Sequence, residues 1–155
     1  MAEIIFRDMV TGMGREAEFE IASSATSTEE IYGGVGNPVY PPARAELARH
    51  GLSAGDKRAV RLTRGDLMHY DMLVMMDDNN IRNAVRLLGG GEEKMVKLME
   101  FVGSHRDVSD PWYTGDFAGV YRDICEGLQG LITAVDGDRR ALTTRARNIL
   151  ERTGV

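Results

Sequence analysis

The residues best suited to chemistry in this sequence are two aspartates, each placed at a turn. Asp110 begins an Asp-Pro-Trp-Tyr run, and Asp77 directly follows a run of apolar residues. Proline disfavours a helical backbone at the residue before it, so the carboxyl group of Asp110 should be held in one place. A carboxyl group held beside aromatic side chains can act as a general acid. The plainer interpretation is a turn that is capped by an acid and anchored by a half-buried tryptophan.

The elements that must position these aspartates alternate between helices and strands. The apolar spacing predicts helices over 2–14, 41–50, 64–69, 78–88, 117–132 and 139–151, and short strands over 19–22, 58–62, 72–76 and 96–99. Alternation of this kind is typical of a parallel sheet with helices on both faces. Ligands of such sheets bind beyond the carboxyl ends of the strands, where Asp77 and the loop of Asp110 both lie. We therefore expect an α/β fold with the two carboxylates at one crevice.

The composition of the chain excludes several classes of protein. Its 155 residues fit one domain, and 43% hydrophobic and 28% charged residues are ordinary values for a globular protein. A net charge of −5 argues against broad nucleic-acid binding, which needs a basic surface. No apolar run is long enough to span a bilayer, and no secretory signal is visible. Cys125 is the single cysteine and has no partner for an internal disulfide, which favours a reducing, cytoplasmic compartment.

Neither a metal site nor a nucleotide loop is indicated by the sequence. His50, His69 and His105 lie far apart without the spacing of metal ligands. Gly89-Gly90-Gly91 lacks the lysine and the strand-to-helix context of a nucleotide loop, so it is interpreted as the flexible end of a helix.

The end of the chain is predicted to form a separate extension. Asp136-Gly137-Asp138 interrupts the helical pattern, which divides the chain into a domain over 1–135 and a helical extension over 136–155. The arginines of the extension are interpreted as a solvated helix face. The alternative is a docking surface for an acidic partner.

Several segments of the chain resemble the low-molecular-weight protein tyrosine phosphatases, in the same order along the chain. The matching segments are 1–6 (the start of the first helix), 19–24 (the second strand), 70–80 (the third strand and a Met-Asp-x-x-Asn turn), and 109–117 with 120–127 (the acid loop). The resemblance covers about residues 1–132. It implies a three-layer α/β fold, in which helices cover both faces of a parallel sheet.

The resemblance also assigns roles to particular residues. Asp110 matches the general acid, Trp112 and Tyr113 match the walls around a phosphotyrosine ring, and Asp77 and Asn80 match a supporting turn. An alternative for Asn80 is that it simply caps the helix over 78–88. The family attacks phosphorus with a cysteine thiolate and uses no metal or other cofactor. The implied substrates are phosphotyrosine proteins or small aryl phosphates, with no nucleic-acid or membrane partner.

The sequence departs from the family pattern at the nucleophile. The family carries a Cys-x5-Arg-Ser/Thr phosphate loop between its first strand and first helix, and Met1 matches a position inside that helix. We therefore expect the central first strand, the loop, its Cys and its Arg to be missing from this chain. Cys125 is a poor replacement, because Leu131 stands where the Arg would be and the thiol lies on an apolar helix face. The chain as given is expected to be inactive.

Three functions remain open at this point. The favoured one is a tyrosine phosphatase that is truncated or started too late. The second is a non-catalytic member that binds partners or phosphotyrosine. The third is a relative acting on phosphoarginine or arsenate, although the arsenate route needs further cysteines. In all cases an absent central strand would leave unpaired edges at 19–22 and 72–76, through which chains can associate.

Overall fold

The structure is a computed structural model that describes the backbone of residues 1–153 and the side chains of residues 1–140. Its helices and strands, in chain order, are α1 (Ala2–Gly12), β1 (Ile31–Tyr32), β2 (Val35–Gly36), α2 (Pro41–Arg49), α3 (Arg64–His69), β3 (Leu73–Met75), α4 (Asp78–Leu88), β4 (Met95–Lys97), α5 (Pro111–Thr114) and α6 (Phe117–Thr153). Three short 3₁₀ helices lie between these elements: Glu16–Glu18 after α1, Glu92–Lys94 before β4 and Leu98–Val102 after β4. The predicted α/β class is confirmed.

Local signals place the ends of several helices. The hydroxyl of Thr63 accepts a hydrogen bond from the Asp66 amide, and the Asp66 carboxylate accepts one from the Thr63 amide at 2.8 Å. This reciprocal capping begins α3 as predicted. The bounds predicted for α4 are also confirmed, and that helix ends at Gly89 with a φ of 75°. Glycine adopts this left-handed backbone without the strain that a Cβ would cause.

The sheet is smaller than the sequence predicts. β3 and β4 pair in parallel, with Leu73 opposite Met95 and Met75 opposite Lys97. β1 and β2 form an antiparallel hairpin inside the segment predicted as a loop. In the part of the chain that the structure describes, β3 pairs with no strand besides β4. The helices around this parallel pair set the frame of the site.

The strand predicted over 19–22 is wrong. The chain there is held by side chains, with the rings of Phe6 and Phe19 packed edge to face at 5.3 Å. The guanidinium of Arg7 also donates a hydrogen bond to the carbonyl of Ile21. An alternating pattern can become a strand only where a second strand is present to pair with it.

Two other predicted strands are shortened. The segment over 58–62 reduces to isolated bridges, such as the parallel one between Ala25 and Arg61. The strand predicted over 96–99 shifts to β4, because Leu98–Val102 turns into a 3₁₀ helix. This turn brings the buried side chains of Leu98 and Met99 against α6.

The main core lies where α6 packs against α1, α2 and the Leu98–Val102 helix. Its buried residues are Ile5, Leu47, Ala54, Leu98, Met99, Val108, Val120, Ile124 and Leu128. Two glycines let α6 approach closely: a Cβ on Gly127 would lie 2.4 Å from Leu98 Cγ, and one on Gly130 would lie 2.6 Å from the Phe101 carbonyl oxygen. A second cluster under α4 contains Leu62, Leu73, Met75, Ala84 and Leu88.

The predicted break at Asp136-Gly137-Asp138 is wrong, because α6 runs through it without interruption. A glycine inside a helix costs only about 1 kcal/mol, which other contacts can offset. Here the carboxylate of Asp136 accepts two hydrogen bonds from Arg15, at 3.1 and 2.7 Å. The division into a domain over 1–135 and an extension over 136–155 stays a prediction.

Candidate functional site

The turn after β3 is closed by two reciprocal hydrogen bonds. Asp77 is the cap of α4, and its Oδ1 accepts from the Asn80 amide at 2.7 Å. Asn80 Oδ1 in turn accepts from the Met76 amide at 3.1 Å. The prediction that Asn80 caps the helix is therefore wrong. Asp77 satisfies the helix end, while Asn80 holds the end of the strand.

The acid loop is a second capped turn. The Asp110 carboxylate accepts from the Trp112 amide at 2.9 Å and begins α5, with Pro111 at the first helical position. Gly115 ends this single turn with a φ of 71°. The capping part of the plainer interpretation is thus confirmed. Its half-buried tryptophan is wrong, since Trp112 is 62% exposed and Tyr113 is 84% exposed.

A third aromatic side chain joins the loop. The ring of Tyr40 lies 4.7 Å from that of Trp112 and 6.0 Å from that of Phe117. Tyr40 is the residue that immediately precedes the first turn of α2. Tyr40 was not among the predicted site residues, and the sequence signal for it is only its position directly before the Pro-Pro start of α2. The three rings form one aromatic cluster at the acid loop.

The two turns are joined through their neighbours. The Val108 amide donates a hydrogen bond to the Met76 carbonyl at 2.8 Å. Met76 lies one residue before Asp77, and Val108 lies two residues before Asp110. Each aspartate is engaged in the cap of its own helix. The structure thus places the two predicted carboxylates on adjacent segments that share a backbone hydrogen bond.

A polar cavity of about 260 Å³ lies beside the acid loop, against the first turns of α6. It is lined by Ser109, Thr114, Asp116, Gly119, Val120, Arg122 and Asp123. Two of its carboxylates have partners: Asp116 accepts from the Gly119 amide at 2.8 Å, and Asp123 accepts from both guanidinium nitrogens of Arg106 at 2.7 Å. The Arg106 pairing holds the pKa of Asp123 below its usual value.

The single thiol lies on α6 and packs against the main core. Cys125 is half-buried, and burial raises its pKa. Burial also raises the pKa of Tyr121 to about 12, one helical turn earlier. A raised pKa leaves less of the reactive thiolate at neutral pH. These properties fit the expectation that Cys125 is a packing residue.

Within the described side chains, no three His, Cys, Asp or Glu residues form a group that could hold a metal ion. None of the helices among the described residues has both the length and the apolar character needed to cross a membrane.

Comparison with known proteins agrees with the geometry. Residues 1–141 match the family model described as low molecular weight phosphotyrosine protein phosphatase. The low molecular weight protein-tyrosine-phosphatase YfkJ of Bacillus subtilis is 30% identical over 143 residues, which cover 90% of this chain and 89% of the relative. The human low molecular weight phosphotyrosine protein phosphatase is 30% identical over 129 residues, covering 79% and 78%. The crystal structure of YfkJ superposes with a TM-score of 0.80, covering 88% of this chain and 86% of that one.

Proposed function

Because the chain belongs to the low molecular weight phosphotyrosine protein phosphatase family, we propose that it serves the hydrolysis of phosphotyrosine in proteins or of small aryl phosphates. The observation that carries this proposal is the acid loop. Its Asp110 carboxylate is fixed by the Trp112 amide, and the two exposed aromatic side chains of Trp112 and Tyr113 follow directly. This arrangement provides a positioned proton donor beside surfaces on which an aryl ring can stack.

The proposed reaction has two steps, both using Asp110. A cysteine thiolate attacks phosphorus, the bond from phosphorus to the phenolic oxygen breaks, and the Asp110 carboxyl group gives its proton to the departing phenolate. The Asp110 carboxylate then takes a proton from a water molecule that attacks phosphorus and releases the thiolate. Trp112 and Tyr113 flank the aryl ring, and Asp77 with Asn80 supports the neighbouring turn.

The nucleophile is proposed to come from a Cys-x5-Arg segment outside the 155 residues. The sequence given contains one cysteine, Cys125, and Leu131 stands six positions after it. The thiolate and the arginine that would bind phosphate therefore have no source in these residues. A truncated or late-started form is therefore part of the proposal. The edge of β3 that β4 leaves open supports this, since it offers backbone groups to another strand.

The experiment compares the chain as given with an extended chain, made by reading the coding sequence upstream of Met1 for an in-frame Cys-x5-Arg-Ser. We expect no hydrolysis of an aryl phosphate by the chain as given and turnover by the extended chain. Cys125→Ser should leave the extended chain active. Turnover by the chain as given that disappears in Cys125→Ser would overturn the proposal about the nucleophile. Absence of turnover in the extended chain would overturn the enzymatic function itself.

A non-catalytic binding role is the second candidate, and the aromatic cluster of Tyr40, Trp112 and Phe117 favours it, because the rings of Tyr40 and Trp112 are exposed. In that case the chain as given should bind a phosphotyrosine peptide more tightly than the same peptide with tyrosine. Calorimetric titration of both peptides tests this, with Trp112→Ala as the variant that should weaken binding by removing a ring on which the aryl group stacks.

Two further properties are proposed with the function. A cytoplasmic location is proposed because the lone cysteine suits a reducing compartment. Association of chains through the open edge of β3 is proposed for the chain as given, because unpaired strand edges readily pair with another chain. Sedimentation of the two chain lengths tests the second point, since the extended chain should associate less.

A further inference from the structure

Lys97 is a buried lysine at the end of β4, and the three polar contacts of its ammonium group are with residues next to the candidate site. It is 6% exposed. Its Nζ lies 2.9 Å from Asp107 Oδ1 and 3.0 Å from Asp78 Oδ1, and it donates a third hydrogen bond to the carbonyl of His105. An ammonium group has three donors, and a buried charge is tolerated when such partners satisfy it. These contacts use all three.

The partners of Lys97 belong to the two turns of the candidate site. Asp78 is the first residue of α4, directly after its cap. His105 and Asp107 lie on the segment that leads into the acid loop. The next residue, Val108, donates its amide to the Met76 carbonyl. Lys97 therefore connects the start of α4 with the chain that carries Asp110.

We propose that Lys97 is a positioning residue for Asp110, which fixes the acid loop relative to the turn that begins α4. The proposal rests on the proposed role of Asp110 as the general acid. Lys97 touches neither substrate nor the transferred proton in this arrangement. It acts through Asp107 and His105, because their position decides where the residues after them can lie.

Lys94 provides a matched control three residues earlier. Its ammonium also lies in a partly buried place and donates to two carbonyls, those of Leu67 at 2.8 Å and Tyr70 at 2.9 Å. Those carbonyls lie at the end of α3 and not at the acid loop. A Lys94 variant without the ammonium group therefore loses similar hydrogen bonds, but at the end of α3.

The first test uses amide hydrogen exchange on the chain as given. Lys97→Met should speed exchange at the Val108 and Trp112 amides by about tenfold or more, as loss of charge-assisted hydrogen bonds predicts. The amides of α6 around Ile124 should not change, and Lys94→Met should affect only the end of α3. Unchanged exchange at Val108 and Trp112 would overturn the proposal. So would an equal increase in Lys94→Met, or one that extends uniformly into α6.

The second test uses the extended chain and aryl phosphates with good and poor leaving groups. Lys97→Met should lower kcat for poor leaving groups roughly 10–100-fold, with little change for good ones, because a misplaced general acid matters most where proton donation is needed. It should add little further loss to Asp110→Asn. Equal losses on both substrates, or a full additional loss in the double variant, would overturn the positioning role. Absence of turnover in the unmodified extended chain would refute only the proposed function, because the exchange test decides separately whether Lys97 holds the loop.

Discussion

The turn at Asp77 and the acid loop at Asp110 begin in the same way and end differently. In each, an aspartate carboxylate caps a helix by accepting from a backbone amide. α4 then continues for 11 residues and buries Ala84 and Leu88 in the second core cluster. α5 stops after 4 residues and buries none of them. One cap thus begins a helix that the core holds, whereas the other presents exposed side chains.

The two regions are also held by different forces. α4 is held mainly by apolar packing, which changes little with pH or salt. The segment before α5 has one residue in the core, the buried Val108, and is otherwise held by ion pairs. One pair joins Lys97 to Asp107 and the other joins Arg106 to Asp123. Ion pairs weaken when a partner titrates or when salt screens them. Acid or salt should therefore affect the segment before α5 more than the packing of Ala84 and Leu88 in α4.

The largest effect is expected at Asp110 in the extended chain. Asp110→Asn keeps a side chain that can cap α5 but removes the proton, so kcat on poor leaving groups should fall about 10²–10⁴-fold and much less on good ones. Steady-state kinetics on a series of aryl phosphates measures this. Asp116→Asn, which alters the cap of α6, is the control and should show no dependence on the leaving group. Equal losses on both kinds of substrate would remove Asp110 from the role of general acid.

The next effect concerns stability, where substitutions in α4 and in α5 should differ. Leu88→Ala should lower the free energy of unfolding by about 2–5 kcal/mol, because it leaves a cavity in a site that is 2% exposed. Tyr113→Ala should change it by less than about 0.5 kcal/mol, because that side chain is exposed. Urea denaturation measures both in the chain as given. Similar losses for the two variants would contradict the view that α5 only presents its side chains.

The same comparison explains what the sequence could predict. The bounds of α4 were predictable because their signals are local, a regular apolar stripe and Gly89 at the end, although the cap is Asp77 and not Asn80. The acid loop was predictable as a capped turn from Asp110 and Pro111 alone. Local patterns carry this information because helix ends satisfy their backbone groups within a few residues.

The remaining features depend on residues that are distant in the chain. The pattern over 19–22 lacks a paired strand, and the Tyr40–Trp112 contact joins residues 40 and 112 across the fold. The glycine-containing segment after Val135 stays helical, and there Asp136 accepts a hydrogen bond from Arg15, which lies 121 residues earlier in the chain. The buried charge of Lys97 likewise makes sense only once Asp78 and Asp107 surround it. Sequence spacing alone contains none of these contacts.

A smaller effect is expected at the two caps themselves. Asp77→Ala should lower the free energy of unfolding by about 0.5–2 kcal/mol, whereas Asp77→Asn should nearly preserve it, because both Asp and Asn accept from the amide of the third helical residue. Asp110→Ala should leave global stability almost unchanged and speed exchange only near the Trp112 amide. Denaturation and amide exchange on the four chains test this. A global loss in Asp110→Ala equal to that in Asp77→Ala would mean that α5 is part of the cooperative core.

The smallest effect is the response of the acid-loop region to acid. Arg106 holds the pKa of Asp123 below its ordinary value, so the pair stabilises the fold above the unfolded-state pKa, about 3.9, and the contribution is lost as the pH falls through the lower folded-state pKa. Asp123→Asn should therefore be less stable than the parent chain at pH 6, and the two should converge once the pH lies below the folded-state pKa. The deficit of Leu88→Ala should stay constant over the same range, because no charge is involved. Urea denaturation at several pH values measures both differences. A deficit in Asp123→Asn that does not shrink as the pH falls would show that Asp123 acts through packing, and the two regions would then not differ in their response to acid.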